Sequence, residues 1–146
     1  MGKLRHIAIA VPDTDAAAKF YEQAFGMQRV RESTSAILMS DGVISLAILD
    51  NKNSHEALGA TGLHHFGVIA ENVDDTAAKA EAAGAIYADK DENVAKRFAN
   101  RGQVQQNGEL TAEARRQEQR KYVDPNGVKF DIVNDMHARN SWRLPV

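Results

Sequence analysis

The sequence predicts an α+β fold in which two βαβββ modules form a curved mixed sheet around a cleft. Three observations carry the prediction: an internal repeat, strand-type runs alternating with two capped helices, and turn-forming residues at the joints. Setting His6 on His65 aligns residues 6–25 with residues 65–84 without a gap. Asp15 then meets Asp74, Ala18 meets Ala77, Glu22 meets Glu81 and Ala24 meets Ala83. The chain reads as one domain, with module one at 1–50, a linker at 51–62, module two at 63–134 and a tail at 135–146.

The first strand is His6-Ile7-Ala8-Ile9-Ala10-Val11, and its repeat partner is His65-Phe66-Gly67-Val68-Ile69-Ala70. Each is an apolar run that opens with His and is bounded by turn-type residues. In the first helix, Pro12-Asp13-Thr14-Asp15 offers N-cap oxygens and Gly26 supplies a left-handed stop. Ala17, Phe20, Tyr21, Ala24 and Phe25 form its apolar stripe at helical spacing. Strands follow at 28–32, 35–39 and 43–49, with Asp41-Gly42 as the hairpin turn between the last two. His55, in the polar linker, is expected to face solvent.

The second helix is capped by Asn72 or Asp74 and stops at Gly84. Further strands are expected at 85–88, 116–123 and 128–133, the last two joined by Asp124-Pro125-Asn126-Gly127. Residues 89–113 are polar, with room for a short helix near 94–98 and a loop long enough to be a lid. Trp142, Leu144 and Pro145 make an apolar tail suited to docking on a partner subunit or on its own domain.

Composition narrows the function. A chain of 146 residues that is 43% hydrophobic and 26% charged can bury a core and stay soluble. Cysteine is absent, so disulfides, thiolate metal sites and a cysteine nucleophile are excluded, and any metal must use His and carboxylates. A net charge of -2 attracts no polyanion. Arg115, Arg116, Arg120 and Lys121 are interleaved with Glu113 and Glu118, so no nucleic-acid partner is expected. Charge appears early in the N-terminal residues, and no apolar stretch reaches the roughly 18 residues of a membrane span. The expectation is a cytoplasmic protein with no membrane partner.

Side chains alternate across a strand, so each run sorts into two faces. Ile7, Ile9 and Val11 suit packing under a helix, leaving His6, Ala8 and Ala10 opposite. Phe66 and Val68 likewise separate from His65, Gly67 and Ile69, and Val128, Phe130 and Ile132 from Lys129, Asp131 and Val133. In the run 43–49, Ile44, Leu46 and Ile48 separate from Val43, Ser45, Ala47 and Leu49. A gapless match of Gly42-Val43 to Gly127-Val128 would pair Leu46 with Asp131. The faces select Ser45 instead, since a one-residue slip would expose a core leucine.

The resulting quartet is His6, Ser45, His65 and Asp131. Two histidines and a carboxylate suit a divalent metal ion (Fe, Mn, Zn or Ni) and leave positions for water and substrate. Ala8 and Gly67 are small enough to leave room there. His64 has the opposite parity and is assigned a structural role, and His137 lies in the tail, apart from the site. Lys129, on the face of Asp131, is a candidate for an anionic substrate group. Tyr122 is a candidate hydrogen-bond donor, with a core or interface role as the alternative.

With these residues in place, the chain resembles the vicinal oxygen chelate superfamily, which includes glyoxalase I, extradiol dioxygenases, methylmalonyl-CoA epimerase, and fosfomycin- and bleomycin-resistance proteins. The resemblance is carried by residues 6–13, Phe20-Tyr21, Phe25-Gly26, Leu63-His64-His65-Phe66 and residues 122–132. It implies paired modules around a metal cleft, a homodimer, and ligands at His6, His65 and Asp131. The last position is usually Glu, so the shorter Asp131 requires a closer metal or an intervening water. Glyoxalase I commonly has a carboxylate or Gln where Ser45 stands, so the pattern is more similar to the dioxygenases and fosfomycin transferases. The resemblance implies a lyase or dioxygenase that chelates vicinal oxygens of a small substrate and stabilises an enolate or catecholate. A metal-free protein sequestering a drug or metabolite is the alternative, and a structural or regulatory module is the third reading.

Overall fold

A computed structural model describes residues 1–88 and 118–145. The expected helix near 94–98, the lid at 89–113, Arg115 and the first two residues of the 116–123 strand lie outside the described residues. Both modules are present, as β1 (Lys3–Val11), α1 (Thr14–Phe25), β2 (Gln28–Glu32), β3 (Ala36–Ser40) and β4 (Ser45–Asp50), then β5 (Gly62–Ile69), α2 (Val73–Ala82), β6 (Ile86–Tyr87), β7 (Gln119–Val123) and β8 (Lys129–Val133). A helix α3 (Asp135–Asn140) follows. The fold is α+β with a mixed sheet, as predicted: β1 and β4 run parallel, while β3–β4 and β7–β8 are antiparallel. No described helix is long and apolar enough to cross a membrane.

The chain divides into two compact units. One, here the N-terminal unit, is Leu4–Gly67 with Ala138–Val146, and the other, the C-terminal unit, is Met1–Lys3 with Val68–His137. The division falls within β5, so His65 belongs to the N-terminal unit.

In the N-terminal unit the strand order is β2-β3-β4-β1-β5. Asp13 caps α1 by accepting from the Ala16 amide at 3.0 Å, and Gly26 ends it at φ 67, a conformation that L side chains resist. Arg29 of β2 reaches Asp15 and Glu22 of α1, each at 2.9 Å, and ties helix to strand. Ala18, Ile37, Met39, Leu46 and Ile48 form the core under α1, joined by Ile7, Ile9, Val11, Ala17 and Tyr21. The expected stripe on α1 is therefore corrected. Ala18 is fully buried, while Phe20 and Phe25 are 57% and 69% exposed and meet edge to face. The helix turns its smallest residues to the sheet, which displaces the two phenylalanines to its flank.

The start of β4 is also corrected. Asp41 accepts from the amides of Val43 and Ile44, so a side-chain-stabilised turn holds residues that were expected in the strand. On the sheet face away from α1, Ala8, Ala10, Ala47 and Leu49 pack with Ala57 of the linker. His55, in the same segment, is exposed.

In the C-terminal unit the order is β5-β8-β7-β6. Asn72, the first of the two expected caps, accepts from the Asp75 amide at 2.9 Å. Val73 and Ala77 of α2 pack with Ala70, Tyr122 and Ile132. The tail docks on its own chain: Trp142 and Leu144, in the N-terminal unit, are 4% and 3% exposed. His137 lies in the C-terminal unit, where its amide donates to Asn134 at the start of α3.

Candidate functional site

In the N-terminal unit, β1 and β5 are neighbours in the sheet, and each contributes one buried histidine. The rings of His6 and His65 lie 5.4 Å apart, centroid to centroid, and are tilted by 38°. His6 stands opposite Ser45 in the β1–β4 register, and its Nδ1 is 3.2 Å from Ser45 Oγ. Ser45 is fully buried, and Leu46 joins the core under α1. The register thus agrees with the face assignment, with Ser45 and not Leu46 beside His6.

His64 is in hydrogen-bond contact with His65, Nδ1 to Nδ1, at 2.7 Å. The other nitrogen of His64, Nε2, is 2.8 Å from the carbonyl of Glu56 in the linker.

Trp142 stacks on His6 with centroids 4.4 Å apart and the ring planes 5° from parallel. Gly67 makes that possible, because a Cβ there would stand 2.5 and 2.7 Å from the indole and 3.0 Å from the Cβ of His6. The room expected beside Gly67 is therefore filled by the indole, and Ala8 is packed in an apolar cluster. Sequence reading had no local signal for this contact, since 75 residues separate Gly67 from Trp142.

In the C-terminal unit, Asp131 is buried and pairs in register with Lys121. The Lys121 ammonium donates to both carboxylate oxygens, at 3.3 and 3.4 Å, and Gln119 Nε2 donates to Oδ2 at 3.1 Å. Lys129, the candidate for an anionic substrate group, is exposed and stands opposite Val123. Gln119 and Lys121 were legible in principle: continuing the alternation back through the hairpin from Asp131 puts both on its face.

Of the two roles offered for Tyr122, the structure shows the core one. Tyr122 stands opposite Phe130, on the α2 side of the sheet, and its hydroxyl donates to Glu81 at 2.8 Å. Burial, reinforced by Glu81, pushes its phenol up to about 12. Of the basic cluster near 115–121, Arg120 pairs with Asp74 and Lys121 with Asp131.

Among the described residues no group of three or more His, Asp or Glu side chains is gathered closely enough to hold a metal ion. The histidine pair is a two-nitrogen donor set. Two imidazoles on one ion have centroids roughly 5 Å apart, given metal–nitrogen bonds of about 2.1 Å. The observed pair fits that requirement, and Asp131 is held by Lys121 and Gln119.

The model of the Glyoxalase/Bleomycin resistance protein/Dioxygenase superfamily matches residues 3–132. The chain belongs to this superfamily. Solved structures share its fold at low identity. A hypothetical protein from Bacillus halodurans C-125 shares 15% identity at a TM-score of 0.61, covering 92% of this chain and 94% of that one. A methylmalonyl-CoA epimerase in complex with methylmalonyl-CoA and NH4+ shares 20% at 0.56, covering 92% and 94%. The methylmalonyl-CoA epimerase from Mycobacterium tuberculosis shares 18% at 0.53, covering 90% and 86%. Identities this low establish likeness of fold alone. No curated protein matches the chain. The superfamily includes enzymes, and its members commonly use divalent metals.

Proposed function

We propose that the protein is a metal-dependent enzyme acting on a small oxygen-rich substrate, with His6 and His65 as nitrogen ligands. The observation that carries the reading is the burial of two repeat-equivalent histidines on adjacent strands with rings 5.4 Å apart. Neutral imidazoles suit Fe, Mn, Zn and Ni. Asp131 is proposed as a third ligand on its family position alone, and ligation would require it to exchange its bonds to Lys121 and Gln119. A bound divalent ion would supply Lewis acidity, stabilising an enolate or catecholate.

This chain's own residues orient and shield. Ser45 holds the Nδ1 side of His6, so that ring keeps its plane. Trp142 covers one face of His6 and excludes water from it. Ser45 is no carboxylate base, which favours a dioxygenase-type reaction over a glyoxalase I isomerisation. The ion pair of Asp131 with Lys121 supports a second reading, a metal-free protein that sequesters a drug or metabolite.

Metal analysis of the purified protein separates the two. The enzyme reading expects a first-row metal that is lost in His6→Ala and His65→Ala. Equally poor binding by wild type and variants would sink it and leave the binding protein. With metal present, oxygen uptake on catechols, isomerisation of a glutathione hemithioacetal and epimerisation of methylmalonyl-CoA distinguish the reaction classes. A homodimer, common in the superfamily, is proposed as well, and sedimentation velocity tests it.

A further inference from the structure

We infer that His64 is a positioning residue which, together with the Glu56 carbonyl, fixes the tautomer of His65 so that His65 presents an unprotonated Nε2. The assignment of the tautomer stands by itself, and its use in metal binding rests on the function proposed above.

A carbonyl oxygen only accepts, so the 2.8 Å contact with Glu56 requires His64 to carry its proton on Nε2. A neutral imidazole has one ring proton, which leaves a lone pair on His64 Nδ1. With both rings neutral, His65 Nδ1, 2.7 Å from that lone pair, is the donor. The one ring proton of His65 is thereby used, and its Nε2 is left as the basic nitrogen. A metal ligand needs such a nitrogen, and a hydrogen bond from the other ring nitrogen sets which one it is.

The relay also gives the linker a purpose. Its acceptor is a backbone carbonyl, so any side chain at position 56 can supply it, and the segment's own bonds hold that carbonyl in place. Ser54 N donates to Asp50 O at 2.8 Å, Asn51 Nδ2 donates to Ala60 O at 3.1 Å, and Ala57 is buried against the sheet. His64 adds a ring of the right length between carbonyl and ligand. Sequence parity alone assigned it to structure and missed this contact.

Two-bond proton–nitrogen NMR on the metal-free protein with nitrogen-15-labelled histidine tests the inference directly. Wild type is expected to show His65 protonated on Nδ1 and His64 protonated on Nε2, and His65 protonated on Nε2 would overturn it. His64→Asn keeps an acceptor oxygen near the position of Nδ1 and should retain the His65 tautomer. His64→Ala removes the acceptor and should return His65 to the Nε2-protonated form preferred by free histidine; an unchanged tautomer there would also overturn the inference. Should His64→Ala fail to fold, the wild-type and His64→Asn spectra decide. If wild type binds a first-row metal, affinity should fall about 10- to 100-fold in His64→Ala and recover in His64→Asn. Absence of metal binding in wild type would sink the function proposed above and leave the tautomer result intact.

Discussion

The two units hold their buried polar side chains in opposite ways. In the N-terminal unit the buried histidines meet a hydroxyl, a ring, a carbonyl and an indole: His6 to Ser45, His65 through His64 to a carbonyl, and Trp142 flat on His6. In the C-terminal unit the buried carboxylate of Asp131 is held electrostatically, by Lys121. One repeated strand pattern therefore carries two kinds of interior. The first set is built from rings, a hydroxyl and a carbonyl, whereas the second has a carboxylate matched by an ammonium.

Breaking each side should look different. The largest effect is expected from Trp142→Ala, which deletes a buried indole and should cost about 3 kcal/mol, read as a fall in the denaturation midpoint. Gly67→Ala comes next: its methyl would collide with the indole, for a loss of about 2 kcal/mol. Asp131→Asn should cost about 1–2 kcal/mol, less than a fully buried pair because the Lys121 side chain is 21% exposed. Salt sharpens the contrast. Its addition should narrow the gap between Asp131→Asn and wild type while leaving the Gly67→Ala gap unchanged.

The smallest effect is expected from Tyr122→Phe, at about 1 kcal/mol for the lost bond to Glu81. Here pH supplies a signature. The folded state raises this phenol from 10.0 to about 12, so the fold favours the protonated form. That stabilisation is complete below about pH 10 and is lost as the pH rises toward 12. Ultraviolet titration should find a late-ionising tyrosine component that is absent in Tyr122→Phe; a wild-type titration curve unchanged by that substitution at high pH would contradict the assignment.

Alternation along strands was the most legible part of the molecule. It brought Ser45 to His6 and separated Ile7, Ile9 and Val11 from the histidine face, because a period of two leaves each residue one choice of side. Helix ends were legible for a similar reason, since Asp13, Gly26 and Asn72 act on amides or dihedrals within a few residues. The helix stripe was not. Phe20 and Phe25 matched the spacing, but which edge of an amphipathic helix meets the sheet depends on close approach through Ala18. The sequence was silent where distant segments return, as Trp142 does over Gly67 and the Glu56 carbonyl does to His64. Lys121 falls between these cases: one more step of alternation through the hairpin would have put it on the face of Asp131.

Trp142 is the only tryptophan in the chain, and its indole lies against the imidazole of His6. Excitation at the red edge of protein absorption therefore addresses a single fluorophore in direct contact with the candidate site. Its emission is a built-in optical gauge: whatever coordinates, protonates or displaces His6 changes the colour or lifetime of that light, with no label attached and no substrate known.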